Sequence, residues 1–189
     1  MQLAHQASWT EEEYLFMEDQ SEIKHEFLDG EVYAMAGAPT PHNIICGNTG
    51  GILYALTRGG PCRVFNSDQR IYVSRPKRFY TYPDGGVGCN KFEFHPKAGA
   101  KMVLTNPTLL YEVLSPGTEK YDRGTKLFLY RQIESLQDVL LIDPARRLVE
   151  HHHRGARGWR STTRHRGAVA VLGGIIQVAE LFEGMEGPA

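Results

Sequence analysis

Apolar residues recur at helical spacing over residues 42–58, where Ile44, Ile45, Ile52, Leu53 and Leu56 can share one side of a helix, and Gly59-Gly60-Pro61 ends the pattern. Gly47, Gly50 and Gly51 weaken that helix, each by about 1 kcal/mol relative to alanine, and leave room for close packing on a sheet. Upstream, Trp9-Thr10-Glu11-Glu12-Glu13-Tyr14 has the pattern of a capped helix start: Thr10 and Glu13 can satisfy each other's backbone donors, and Trp9 can staple onto Tyr14. Residues 24–36 predict a β-hairpin, because Asp29-Gly30 supplies the positive φ angles of a two-residue turn. Short apolar runs predict strands at 62–65, 69–73, 80–87, 108–114, 139–142, 148–153 and 159–164, with a last strand at 169–178 and a short helix at 179–182. A helix over 122–133 follows the turn Ser115-Pro116-Gly117-Thr118, and 91–101, without periodicity, reads as a surface loop. With no internal repeat and no linker, the pattern predicts one α/β domain built on a mixed sheet.

One charge interrupts the most apolar of these strands. Glu112 shares a face with Leu110 and Leu114, while Leu109, Tyr111 and Val113 point the other way, so the strand is expected to be central and covered on both sides. Burying a carboxylate costs several kcal/mol or more unless a cation or hydrogen bonds compensate it. A structural ion pair with Arg123 or Arg131 is one reading; a functional site is the other. Asp84 follows a proline that cannot donate a ladder hydrogen bond, which predicts an edge or bulged strand with the carboxylate exposed at the break. The alternative is that Tyr82-Pro83-Asp84-Gly85-Gly86 is simply a turn. Lys126 lies on a helical stripe with Tyr130 and Ile133, so its stem faces the core and its ammonium can reach the sheet edge; otherwise it is a solvated lysine. Asp84 and Glu112, with the carbonyl of Val113, suit a hard divalent cation such as Mg²⁺, and Lys126 beside them suits phosphodiester hydrolysis.

Composition narrows the alternatives. The chain has 189 residues, 10% aromatic content and a formal net charge of −1, typical of a globular protein rather than a disordered or strongly basic one. The charge is uneven: nine acids face one lysine between residues 11 and 31, and seven arginines with four histidines face one glutamate between 146 and 166. That basic segment is suited to contacting phosphates, or is a solvated hairpin surface. Within His151-His152-His153, alternation along a strand lets at most His151 and His153 share an ion, so a zinc site is not expected from this segment. Cys46, Cys62 and Cys89 are odd in number and lack Cys-x-x-Cys spacing, so they are expected to be buried or incidental thiols rather than a disulfide framework or a zinc knuckle. The absence of a long apolar run and of a signal-peptide pattern leads to a cytoplasmic expectation. Phosphate-loop, nucleophile-elbow and dinucleotide-turn motifs are missing, which disfavours NTPase, serine hydrolase and nucleotide-cofactor functions.

Four segments taken in order carry a resemblance: His25-Glu26-Phe27-Leu28-Asp29-Gly30-Glu31-Val32-Tyr33-Ala34-Met35-Ala36-Gly37; Ser67-Asp68-Gln69-Arg70; Tyr82-Pro83-Asp84; and Glu112-Val113-Leu114-Ser115-Pro116-Gly117-Thr118-Glu119-Lys120-Tyr121-Asp122-Arg123-Gly124-Thr125-Lys126. Together they resemble the Uma-two family of bacterial restriction-endonuclease-like proteins in the PD-(D/E)XK nuclease superfamily, over about 9–182 of a single nuclease-like domain spanning 1–189. The resemblance implies a restriction-endonuclease-like mixed β-sheet flanked by helices, with additional β-hairpins. It implies a Mg²⁺- or Mn²⁺-dependent endonuclease acting on DNA, with Asp84 and Glu112 as metal ligands. The superfamily lysine stands two residues after the glutamate, a place held here by Leu114; the family moves that role to the following helix, matching Lys126. Glu31 and Asp68 fall at motif positions as auxiliary acids. A homodimer is expected, because two related sites most simply cut both strands of a duplex. One departure is Gly85-Gly86-Val87-Gly88 where an apolar β-branched run is usual, which is expected to weaken the strand and loosen the site. The alternatives are a catalytically weakened nuclease-fold module that binds DNA or a protein partner, and carboxylates that form only a structural ion-pair network.

Overall fold

The computed structural model describes residues 8–97, 99 and 102–185. The chain opens on α1 (Glu11–Gln20), started by the expected capping box: the Glu13 N–H donates to Thr10 Oγ1 (3.2 Å), and the Thr10 N–H donates to Glu13 Oε2 (2.8 Å). Strands β1 (His25–Leu28) and β2 (Glu31–Ala34) form the predicted hairpin, with Asp29 at φ 50° and Gly30 at φ 105° as its turn. Next come α2 (Thr40–Thr57), β3 (Cys62–Asn66), β4 (Ile71–Val73), β5 (Phe79–Thr81), β6 (Gly85–Cys89) and β7 (Leu109–Val113). A helical connection follows, made of α3 (Glu119–Tyr121), a π-helical turn (Asp122–Lys126) and α4 (Leu127–Tyr130). The remainder is β8 (Asp138–Asp143), β9 (Leu148–Gly155), β10 (Gly158–Arg164), β11 (Ala168–Val171), β12 (Gly174–Gln177) and α5 (Val178–Leu181).

Among the described residues the strands make a small antiparallel sheet, in the order β2-β1-β5-β4, and a larger mixed sheet, β10-β9-β8-β7-β6-β3. β7 and β8 are its parallel pair, joined by the helical connection as parallel neighbours require. One face of the large sheet, bearing Leu109, Tyr111, Val113 and Leu140, packs against α2, the β11–β12 hairpin and α5. The opposite face, bearing Leu110, Leu114, Val139 and Leu141, packs against α4 and the small sheet. β7 is therefore central and buried along its whole length, as its two apolar faces predict. Outside this sandwich, α1 covers the small sheet through Tyr14, Phe27 and Tyr80.

Four expectations change. Residues 80–87 are not one strand: β5 belongs to the small sheet and β6 to the large one, so Tyr82-Pro83-Asp84 carries the chain between them. Pro83 thus sits at a crossing rather than on an edge strand, and β6 is hydrogen-bonded on both sides. Gly85 and Gly86, expected to weaken that strand, have a steric role in it. A Cβ on Gly85 would lie 2.3 Å from the Tyr111 hydroxyl, and one on Gly86 would lie 2.5 Å from the Leu109 carbonyl oxygen, so glycine is what lets β6 approach β7. The stretch expected as one strand over 169–178 instead forms the β11–β12 hairpin, turning at Leu172-Gly173, both with positive φ, and Val178 opens α5. Finally, Cys62 and Cys89 form a disulfide and leave Cys46 as the free thiol among the described residues. Spacing along the chain hides this pairing, because the two cysteines become neighbours only when β3 and β6 place them directly opposite each other.

Two stability predictions follow from this packing. Gly86→Ala must push against backbone, so it should lower stability by about 1–3 kcal/mol, read as a lower denaturant midpoint. His152 is buried, and burial, with the positive charge of Arg131 beside it, lowers its pKa from 6.5 to about 4. The folded state therefore favours neutral imidazole, a contribution fully present above pH 6.5 and lost as pH falls towards 4, on the order of 3 kcal/mol. Urea unfolding across that range should show a shallower acid loss in His152→Leu than in the wild type; equal slopes would remove His152 as a cause.

Candidate functional site

The site forms where the small sheet, the large sheet and the helical connection meet. Glu112 projects from the centre of β7 and is 4% exposed. Its Oε1 accepts from the Tyr130 hydroxyl and lies 3.1 Å from Lys126 Nζ. The same ammonium is 3.1 Å from Oε1 of Glu26 on β1 and 3.9 Å from Oδ1 of Asp122. Thr81, on the neighbouring β5, donates its hydroxyl to Glu26 and fixes that carboxylate.

The local backbone explains how Lys126 reaches this position. The Leu127 N–H bonds back to the Asp122 carbonyl, the wider spacing of a π turn, and Asp122 and Lys126 are both 5% exposed. The sequence predicts a regular helix over 122–133; the wider turn instead begins at Asp122, and regular helix resumes only for Leu127–Tyr130. Asp84 is held differently. β6 begins at Gly85, opposite Tyr111, so Val113 has no ladder partner on that side, and its N–H donates to Asp84 Oδ2 at 2.7 Å. His42 Nε2, from the first turn of α2, lies 3.1 Å from the same oxygen. Glu26, His42, Asp84, Glu112, Asp122 and Lys126 together line one cavity of about 550 Å³.

Acidic groups outnumber basic ones in this cavity. Burial, with the nearby Asp84 and Asp122 carboxylates adding to it and Lys126 pulling the other way, pushes the Glu112 pKa up to about 8. Asp122 is raised as well, mainly by burial. Burial opposes the charge on Lys126, yet Glu112 and Glu26 outweigh it and hold the ammonium protonated. For His42, burial is likewise outweighed by Asp84, and the ring's pKa rises. Four carboxylates thus surround one lysine and one histidine. A donor set this rich in carboxyl oxygens fits a hard divalent cation, whose binding would draw the proton off Glu112.

Asp84, Glu112 and Lys126, named from sequence, are brought to this one cavity. Glu31 and Asp68 are not: Glu31 is exposed on β2 and accepts from the Tyr33 hydroxyl, while Asp68 is 75% exposed and pairs with Lys24 at 2.7 Å. Neither arginine proposed as a partner for Glu112 takes that role. Arg123 bonds Glu119, Asp143 and Glu150, and Arg131 lies against His152 and Trp159. Sequence reasoning missed Glu26, His42, Asp122 and Tyr130. The i,i+4 series Asp122, Lys126, Tyr130 was a usable signal for two of them. Glu26 and His42 carried none, because their approach depends on how the sheets dock. His42 also lies 3.4 Å from Cys46 Sγ, and ligand atoms of His42, Cys46 and Asp84 fall within 4.8 Å of one another.

The chain thus forms a mixed sheet flanked by helices, with acids and a lysine gathered where the two sheets meet. The fold is similar to the crystal structure of a putative nuclease belonging to DUF820 from Anabaena variabilis, with a TM-score of 0.72 at 18% identity, covering 90% of this chain and 95% of that one. The chain belongs to the Uma2 family, described as putative restriction endonuclease, whose model matches residues 11–181. Two uncharacterized proteins of Synechocystis sp. are similar in sequence. The protein slr1290 is 36% identical over 147 residues, covering 78% of this chain and 75% of its own length. The protein sll1609 is 35% identical over 154 residues, covering 81% and 85%.

Replacing Lys126 by methionine would leave Glu26, Glu112 and Asp122 buried without their shared cation. The expected loss is roughly 3–5 kcal/mol of stability, measured by urea unfolding. Adding Glu112→Gln to Lys126→Met should recover part of that loss; a purely additive double variant would show that the pair is not coupled.

Proposed function

We propose that this protein is a divalent-metal-dependent nuclease that hydrolyses DNA phosphodiester bonds, with Mg²⁺ or Mn²⁺ held by Asp84 and Glu112. The observation that carries this reading is the convergence of Asp84, Glu112 and Lys126 on one cavity rich in carboxylates. A bound ion would supply Lewis-acid polarisation of the phosphate and acidify the attacking water. Val113 orients Asp84 through its N–H, and Tyr130 orients Glu112 through its hydroxyl. Lys126 offsets the negative charge that builds on the phosphate as water attacks. DNA as the substrate rests on family membership. A homodimer would place two such sites for cleavage of both strands. The close fit of Gly85 and Gly86 against β7 supports a formed site over a loosened one.

Plasmid cleavage with Mg²⁺ or Mn²⁺ tests this function. Asp84→Asn, Glu112→Gln and Lys126→Ala should each reduce the rate by about 100-fold or more, with folding checked by circular dichroism. Cleavage by all three at the wild-type rate would reject the site. Mn²⁺ binding without cleavage by the wild type would favour a DNA- or protein-binding module. Light scattering during size-exclusion chromatography reads the dimer directly.

A further inference from the structure

A second group of metal-ligating side chains lies on the opposite face of the large sheet. Asp138 shares the face of Leu140, which packs with Leu109, Tyr111 and Val113, whereas Glu112 shares the face of Leu110 and Leu114. Register brings two histidines to Asp138. His153 is its direct partner across the β8–β9 ladder, and His151, two residues earlier on β9, stands on the same face. His151 Nε2 lies 2.7 Å and His153 Nδ1 2.8 Å from the same Asp138 oxygen. The three donor atoms fall within 4.8 Å of one another. His152 points to the other face and takes no part, as alternation along the strand requires.

We propose that Asp138, His151 and His153 form a binding site for a zinc-class divalent ion, separate from the nuclease cavity. Three points of geometry carry it. The Asp138 side chain is 3% exposed, and its side-chain partners among the described residues are these two imidazoles. A buried carboxylate is costly to hold, and an ion bound at the same three atoms would offset that cost. The donors sit on adjacent, fully paired strands rather than on loops, so the spacing is preset and little ordering is needed on binding. The set also opens onto a groove of about 670 Å³ under the β11–β12 hairpin, leaving room for a further ligand. Two imidazoles and one carboxylate favour Zn²⁺, Co²⁺ or Ni²⁺ over Mg²⁺, whose preferred donors are oxygens. Three protein ligands with an open position match the stoichiometry of zinc sites that bind water or an exchangeable anion. Arg160, Thr162 and Arg164 line the same groove, so an anion such as phosphate suits the open position.

The test keeps the two sites apart. Because His42, Cys46 and Asp84 could also take Zn²⁺, binding is measured in a Cys46→Ala/Asp84→Asn background, by calorimetry with Zn²⁺ and by the visible absorption of Co²⁺. The expected result is one ion per chain, with Co²⁺ bands characteristic of nitrogen and oxygen donors at low coordination number. Loss of a supporting partner alone costs about 10–100-fold in metal affinity, so His153→Ala, which removes a ligand, should weaken Zn²⁺ binding by about 100-fold or more. The His153 side chain is 51% exposed, which makes this variant the safer one for folding. Should the background variant fail to fold, the same comparison in the otherwise unaltered chain should show His153→Ala binding one ion fewer. Absence of Zn²⁺ binding in the background protein, or binding unchanged by His153→Ala, would overturn the site, whatever the outcome of the cleavage assays.

Discussion

A single buried ammonium ties the candidate site together. Lys126 Nζ reaches Glu26 on the small sheet, Glu112 on the large sheet and Asp122 on its own helical turn, so one cation fixes three separately formed elements. Burying one lysine and three acids without such convergence would cost several kcal/mol for each unpaired group. The contact holds because the sheets dock through the apolar cluster of Ile71, Val73, Phe79, Leu110, Leu127 and Tyr130, which keeps water out while the charges meet. Packing sets the positions, and the excess of acid over base sets the chemistry the cavity can support.

The site is also asymmetric in how its members are held. Glu112 and Lys126 are enclosed, with Glu112 Oε1 and the Lys126 ammonium held by protein partners. Asp84 is more open, with a side chain 20% exposed, one oxygen fixed by the Val113 N–H and His42 beside it. The partly exposed Asp84 and His42 stand nearer solvent than the enclosed Lys126.

Much of this architecture was legible in sequence wherever a local rule decides the outcome. The Thr10–Glu13 capping box and the Asp29-Gly30 turn are governed by neighbours a few residues away, and both form as read. The two faces of β7 follow from alternation alone, and Leu110 and Leu114 do separate from Leu109, Tyr111 and Val113. What escaped depends on contacts distant in the chain. The Cys62–Cys89 bridge exists through the β3–β6 register, Glu26 joins the cavity through the docking of two sheets, and the π turn at Asp122–Lys126 follows no propensity rule. Gly85 and Gly86 read locally as weakness; only the Tyr111 ring and the Leu109 carbonyl opposite reveal them as a steric requirement.

The passage from one sheet to the other at Tyr82-Pro83-Asp84 gives the chain a fixed measure. Three residues separate the end of β5 from the start of β6, and both strands are locked in register by their neighbours. With both strands held in register, an added or deleted residue would have to be absorbed within Tyr82-Pro83-Asp84, shifting Asp84 away from the Val113 N–H. The crossing therefore works as a ruler counted in whole residues, and this stretch is closed to insertions of a kind that ordinary surface loops accept.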